Sequence, residues 1–161
     1  MSQLENSPKI ERLENLIAHA ANNNLEGVVE HIRSSYVQIL NIFLQLLKKY
    51  KHFKLKITDD ALKRYTHLID NHIYDESGKI KWSQISVLMP PNLEKRIKME
   101  YDMLSDNEVK LCCLALFEVD PDIICDILPF SQSSVYVIKS KIKQKTGMKK
   151  IREHLKYLLF A

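Results

Sequence analysis

Four lysines recur at alternate positions near the C-terminus, Lys139, Lys141, Lys143 and Lys145, with no acid among them. Ammonium groups in that number suit phosphate, because neutralising a nucleic-acid backbone releases its condensed counter-ions. At helical spacing, Val135, Ile138 and Ile142 share one face, and Ser133, Tyr136, Val137, Ser140 and Gln144 share the opposite one. The lysines then lie around the flanks. Short polar and apolar groups meet base edges in a major groove while long cations reach the phosphates on either side. Ser133, Tyr136, Val137 and Ser140 are therefore the candidate base-reading residues. The candidate phosphate contacts are Lys139, Lys141, Lys143 and Lys145, with Ser131 at a helix start whose free amides favour an anion.

The charge around this segment is sharply divided. Residues 100–130 hold eight acids and one lysine, a net of −7, and residues 131–161 hold eight Lys/Arg and one acid, a net of +7. The border is Pro129-Phe130-Ser131, a turn between two helical patterns. A basic helix entered through a tight turn is the outline of a helix-turn-helix. The net charge of +4 conceals the division because the two blocks nearly cancel.

Local signals place four helices here. Ser105 and Glu108 form a capping box, with Leu104 able to staple onto Val109. Asp120 and Pro121 open a second, short helix that ends near Leu128-Pro129. Ser131 caps a third, which runs to Thr146 and stops at Gly147. A fourth spans 149–160, with Ile151, Leu155, Leu158 and Leu159 inward.

The segment LSDNEVKLCCLALFEVDPDIICDILPFSQSSVYVIKSKIKQKTGM resembles a bacterial LuxR-type helix-turn-helix. Leu104, Ser105, Glu108, Leu114, Ile124, Leu128, Ser131, Val135, Ile142, Lys145 and Gly147 carry the likeness without a gap. It departs at Ile123 and Cys125, where the family has Glu and Ala, and at Ile138, where the family has His. The glycine of the first loop is absent, with Glu118-Val119-Asp120 in its place, and Thr146 stands where the family has Leu. The resemblance implies a DNA-binding transcriptional regulator of the kind that carries this module after a coiled coil. It also maps base reading onto Tyr136, Val137 and Ser140. No tetratricopeptide repeat or phospho-receiver is apparent, so any sensor is expected on another protein.

The elements ahead of the module read as helices too. A first is expected over 8–21, with Ile10, Leu13, Leu16, Ile17 and Ala20 in one stripe, broken by Asn22-Asn23-Asn24. A second, over 25–53, places Leu25, Val29, Ile32, Tyr36, Ile39, Phe43, Leu46, Tyr50 and Phe53 on a heptad seam. Val28, Leu40, Leu44 and Leu47 widen that stripe. The seam suits either a coiled-coil homodimer or a long helix packed within its own chain. The five lysines over 48–56 read as a solvated helix end. A third helix is expected from an N-cap at Thr58 to Ile73, followed by a turn at Asp75-Glu76-Ser77-Gly78. Ile80–Met89 holds the only tryptophan, Trp82, and reads as a short helix or packed strip. Pro91 then opens a helix over 92–103.

The expectation is thus an all-α chain in three parts: 1–77 helical, either dimerising or packed within its own chain, 78–103 connecting, and 104–161 a LuxR-like four-helix helix-turn-helix domain. Three glycines are too few for a Gly-rich phosphate loop or a turn-rich β fold. The polar N-terminus is unlike a signal peptide, and the most apolar window, 39–47, is too short to span a bilayer. Cys112, Cys113 and Cys125 are an odd set with an adjacent pair, which fits buried packing and a cytoplasmic location rather than a disulfide framework. Cys112 and Cys113 diverge by about 100° on a helix, so one metal ion does not suit both. His19, His31, His52, His67, His72 and His154 show no ligand spacing, and no nucleophile elbow is present, so no metal, cofactor or catalytic residue is expected. The expected partners are double-stranded DNA and a second copy, with RNA polymerase or a separate sensor protein as further ones and no membrane. Two other functions fit parts of the pattern: a sigma-region-four-like module acting only with RNA polymerase, and a helical protein–protein adaptor.

Overall fold

In a computed structural model, residues 2–159 are described, with side chains from Pro8 onward except at 22 and 23. The described chain is all-α. Its helices are α1 (Ser2–Leu55), α2 (Asp60–Ile73), α3 (Trp82–Ser86), α4 (Leu93–Glu100), α5 (Asp106–Leu116), α6 (Pro121–Ile124), α7 (Gln132–Thr146) and α8 (Ile151–Leu155), closed by a 3-10 turn, Lys156–Leu159. The one strand-like pairing among the described residues is an isolated antiparallel bridge, Tyr74 to Ile80, across the expected turn. Residues up to Ile32 form one compact unit, and those from Arg33 form another.

In the first unit the helix runs straight through Asn22-Asn23-Asn24, against the expected break. Asparagine is only about 0.7 kcal/mol poorer than alanine in a helix, far from proline's roughly 3 kcal/mol. Once nucleated on both sides, the helix propagates across such a run. Ile10, Leu13, Leu16 and Ile17 lie exposed along it.

In the second unit the remainder of α1 turns Leu40, Leu44 and Leu47 into the core, with Tyr36, Val37 and Phe43 partly covered. Ile39, Ile42, Leu46 and Phe53 face outward. The expected seam is therefore split. Of the residues that widen the stripe, Leu40, Leu44 and Leu47 are inside, at the 3.6-residue period of a helix lying on a globular body, while Val28 is exposed, and Ile39, Leu46 and Phe53 of the heptad line are outside. The N-cap of α2 is Asp59 rather than Thr58, and its carboxylate accepts from Ala61 N at 2.8 Å and Leu62 N at 3.2 Å. A carboxylate at this position also meets the positive end of the helix. Lys54 pairs with Asp70 at 2.9 Å, and the Tyr50 hydroxyl lies 3.0 Å from both Thr66 O and Asp70 Oδ1, which ties α2 back onto α1. Burial and the Asp70 carboxylate push the Tyr50 pKa up to about 12. Even so, α2 buries no residue, and Leu62, Tyr65, Leu68 and Ile69 stay exposed.

The core is built around α5. Leu111, Cys112, Cys113, Leu114 and Leu116 are all fully buried, met by Ile85 of α3, Ile97 of α4, Ile124 of α6, Val135 and Ile142 of α7, and Leu155 of α8. Burial pushes the Cys112 thiol up to about 12 and the Cys113 thiol higher than its ordinary value as well, so both stay protonated packing groups. The helix expected from Pro91 starts at Leu93, after Asn92 adopts a left-handed φ of 63°. Asparagine visits that region readily. The expected helix over 149–160 is α8 followed by the 3-10 turn, whose Leu158 and Leu159 carbonyls accept from Arg96 Nη1 at 2.9 and 3.2 Å.

Between α5 and α6, Glu118 holds a left-handed φ of 59°, at the turn where glycine is absent. Its carboxylate pairs with Arg152 and reaches Arg33 at 3.4 Å. The left-handed conformation costs a residue with a Cβ roughly 1–2 kcal/mol. Replacing Glu118 by Gly or by Ala removes the same ion pairs, but only Ala keeps the strain. In urea melts E118G is expected to be about 1 kcal/mol more stable than E118A. Equal stabilities would show that the turn relaxes out of the left-handed region.

Candidate nucleic-acid interface

The candidate residues all lie on α7 or at its cap. Ser131 is the N-cap: its Oγ accepts from Ser134 N at 3.3 Å and exchanges hydroxyl hydrogen bonds with Ser133 at 3.2 Å and Ser134 at 2.8 Å. At the other end Gly147, with φ of 76°, closes the helix by donating its N–H to Lys143 O at 2.8 Å. Val135 and Ile142 are fully buried and Ile138 is half-buried, so the helix has one fixed rotation about its axis. That rotation turns Ser133, Tyr136, Val137, Ser140 and Gln144 to solvent. Tyr136 is 62% exposed and Val137 54%, although they directly follow the core-facing Val135 in sequence.

Glu108 ties α7 to the rest of the unit. The Ser105 N–H donates to Glu108 Oε1 at 2.9 Å, and Ser105 Oγ accepts from Glu108 N at 3.2 Å, completing the capping box of α5. Lys145 Nζ then donates to both Glu108 oxygens, at 2.9 and 3.0 Å. Of the four candidate lysines, Lys145 is thus held in an ion pair within the fold. Burial alone would raise the Glu108 carboxyl, but the Ser105 amide, the Lys145 ammonium and the Ser105 hydroxyl outweigh it and hold the pKa below its ordinary value.

The flanks of the outward face open into two recesses. At about 100° per residue, Lys139 and Lys143 fall on one flank and Lys141 on the other. Lys141 borders a recess of about 330 Å³ with Phe130, Ser133, Ser134, Val137 and Ile138. Lys139 and Lys143 border one of about 260 Å³ with Lys150 and Arg152 from the entry to α8. Burial, and secondarily the neighbouring Lys143, lowers the Lys139 pKa. Phe130, Lys150 and Arg152 escaped the reading of the sequence. The Lys149-Lys150 pair two residues after the Gly147 stop was the available signal.

Among the described residues, no three His, Cys, Asp or Glu side chains gather as a metal site, and no helix is long and apolar enough to cross a membrane. No family model, curated protein or solved structure matches the chain. The structure thus defines an all-helical protein in which one amphipathic helix presents a basic surface, with Lys145 paired to Glu108 and no carboxylate within ion-pair distance of Lys139, Lys141 or Lys143 among the described residues.

The Glu108 arrangement sets a pH dependence. Its folded pKa lies below its unfolded one, so its contribution is complete above the ordinary glutamate range and is lost as pH falls through the folded value. Glu108→Gln is expected to cost about 1–2 kcal/mol at pH 7, and its deficit against the parent to shrink on acidification below about pH 4. Urea unfolding of both proteins between pH 3 and pH 7 measures this, and a deficit that does not change with pH would refute it.

Proposed function

We propose that this chain is a sequence-specific double-stranded DNA-binding transcriptional regulator, a binding protein rather than an enzyme, acting in the cytoplasm. Residues 104–161 act as a LuxR-type helix-turn-helix, with α6 as its supporting helix and α7 as the helix that enters the major groove. The observation that carries this reading is the outward face of α7. Ser133, Tyr136, Val137 and Ser140 stand exposed between lysine-bearing flanks, while Val135 and Ile142 seat the helix firmly in the core. Apolar exposure of that kind beside cations has no role in stabilising the fold. It does suit thymine methyl groups and base edges, with phosphates reached by Lys139, Lys141 and Lys143. The capping box of Ser105 and Glu108 and the caps at Ser131 and Gly147, residues that carry the resemblance, support this reading.

The protein works as a homodimer, which doubles its contacts and places two recognition helices on spaced half-sites. Support comes from the apolar surface left open in the second unit: Ile39, Ile42, Leu46 and Phe53 on α1, and Leu62, Tyr65, Leu68 and Ile69 on α2. An amphipathic helix with no buried residue, as α2 is, gains its apolar burial from a partner. Light scattering on a sizing column is expected to give the mass of two chains, and a Leu46→Glu/Tyr65→Glu variant the mass of one with unchanged helical circular dichroism. A monomeric parent protein would overturn the dimer.

The DNA reading is tested by fluorescence anisotropy on a generic duplex across a salt series, beside a Lys139→Glu/Lys143→Glu variant. Each phosphate contact contributes roughly 0.9 to the slope of log K against log salt. The variant is expected to bind more weakly and to lose about two units of slope. Absence of duplex binding at low salt, or identical slopes, would remove the assignment and leave the adaptor reading.

A further inference from the structure

The recess between α7 and the entry to α8 carries more positive charge than its own fold can use. Its lining includes Lys139, Lys143, Lys150 and Arg152, with Glu118 and Glu153 as its only acids. Both acids are engaged. Glu118 pairs with Arg152 and Arg33, and Glu153 pairs with Lys156 at 3.0 Å and with Arg152 at 3.7 Å. Arg152 is therefore oriented and neutralised from within. Lys139, Lys143 and Lys150 have no carboxylate within ion-pair distance among the described residues, although Lys150 is attracted to Glu153 at longer range.

Three ammonium groups around one concavity repel each other unless an anion joins them. The cost is visible at Lys139, whose charged form is disfavoured by burial and by Lys143. The recess is an open concavity of about 260 Å³, large enough to admit a phosphate group together with water. Carboxylate ligands are a poorer fit, because three separated point-charge donors are better met by the several oxygens of one phosphate than by a planar two-oxygen group.

We propose that this recess is a phosphate-binding site that seats one backbone phosphate of the duplex, with Lys150 as its third donor beside Lys139 and Lys143. The proposal rests on the DNA-binding reading and adds α8's entry segment to the interface. It makes the two flanks of α7 unequal. One side clamps a phosphate in a three-lysine recess. On the other, Lys141 is the cation left, since Lys145 is tied to Glu108. Arg152 is a positioning residue here, pairing with Glu118 in the recess lining and offsetting its charge there.

The test uses the full-length protein and two single variants. Lys150→Gln removes a recess donor, and Lys149→Gln removes its exposed neighbour, which does not line the recess. In the anisotropy salt series, Lys150→Gln is expected to lower the slope by about one unit and to weaken binding at every duplex sequence alike. Lys149→Gln is expected to change the slope by less than half as much. Thermal melts monitored by circular dichroism should superimpose for all three proteins. If the parent binds duplex and the two variants behave identically, the recess assignment is overturned while the DNA reading stands. A second arm titrates inorganic tripolyphosphate calorimetrically. Tripolyphosphate binding that is lost in Lys150→Gln, with no duplex binding by the parent, keeps a phosphate recess but overturns the backbone phosphate as its ligand in favour of a free polyphosphate. Failure of the parent protein to bind either ligand overturns both the site and the function on which it rests.

Discussion

Helix α5 has almost no outside, and the second unit is arranged to satisfy that constraint. Five of its residues from Leu111 to Leu116 are fully buried, so elements must approach it from every direction. A helix apolar all round is stable only when enclosed. Helices α3, α4, α6, α7 and α8 are each too short to persist alone in water, where isolated helices below about 12–15 residues are marginal and even the 15 residues of α7 sit at that limit. They persist because each adds buried residues to the common core around α5, with α4, α7 and α8 packed directly on it. The position of α7 is a consequence: Val135 and Ile142 are its contribution to that enclosure, and the opposite face is left outward because a helix has only one buried stripe to give.

Glu108 adds the directional part. Apolar packing alone tolerates rotation and sliding, whereas one carboxylate receiving a backbone amide of the α5 cap and a lysine at the end of α7 does not. The group is largely buried, and its hydrogen bonds are charge-assisted, so their geometry is strongly preferred. The start of one helix and the end of another, 37 residues apart in sequence, are therefore held in register by a single side chain. The outward face of α7 is presented at a defined angle because both its apolar seat and this polar tie agree.

What could be read in the sequence follows the range of the interactions involved. The capping box of Ser105 and Glu108, the N-cap at Ser131 and the stop at Gly147 are each complete within three or four residues, and they stand where the spacing predicts. The division of α7 into buried and exposed faces is legible for the same reason. Reading fails where a remote partner decides. On α1, two overlapping apolar stripes compete, and only the packed body selects Leu40, Leu44 and Leu47 over Ile39 and Leu46. The uninterrupted passage through Asn22-Asn23-Asn24 reflects cooperativity along a long helix, which outweighs local preference. Lys145 is indistinguishable in spacing from Lys141 and Lys143, and its pairing with Glu108 emerges only on folding.

That pairing bears on how a chain with large blocks of both charges could present a clean positive surface. Acids near a phosphate-binding helix would repel the ligand and weaken steering. Glu108 is answered by Lys145, Glu118 by Arg33 and Arg152, and Glu153 by Lys156. Each nearby carboxylate is thus matched within the fold by a cation that the outward face does not need. The residual charge at α7 belongs to Lys139, Lys141 and Lys143, with Lys150 beside them. Exposed ion pairs add little to stability, generally below about 1 kcal/mol. Their larger effect here is on the field: they cancel the negative block locally and leave a group of unopposed ammonium groups where the helix is most exposed.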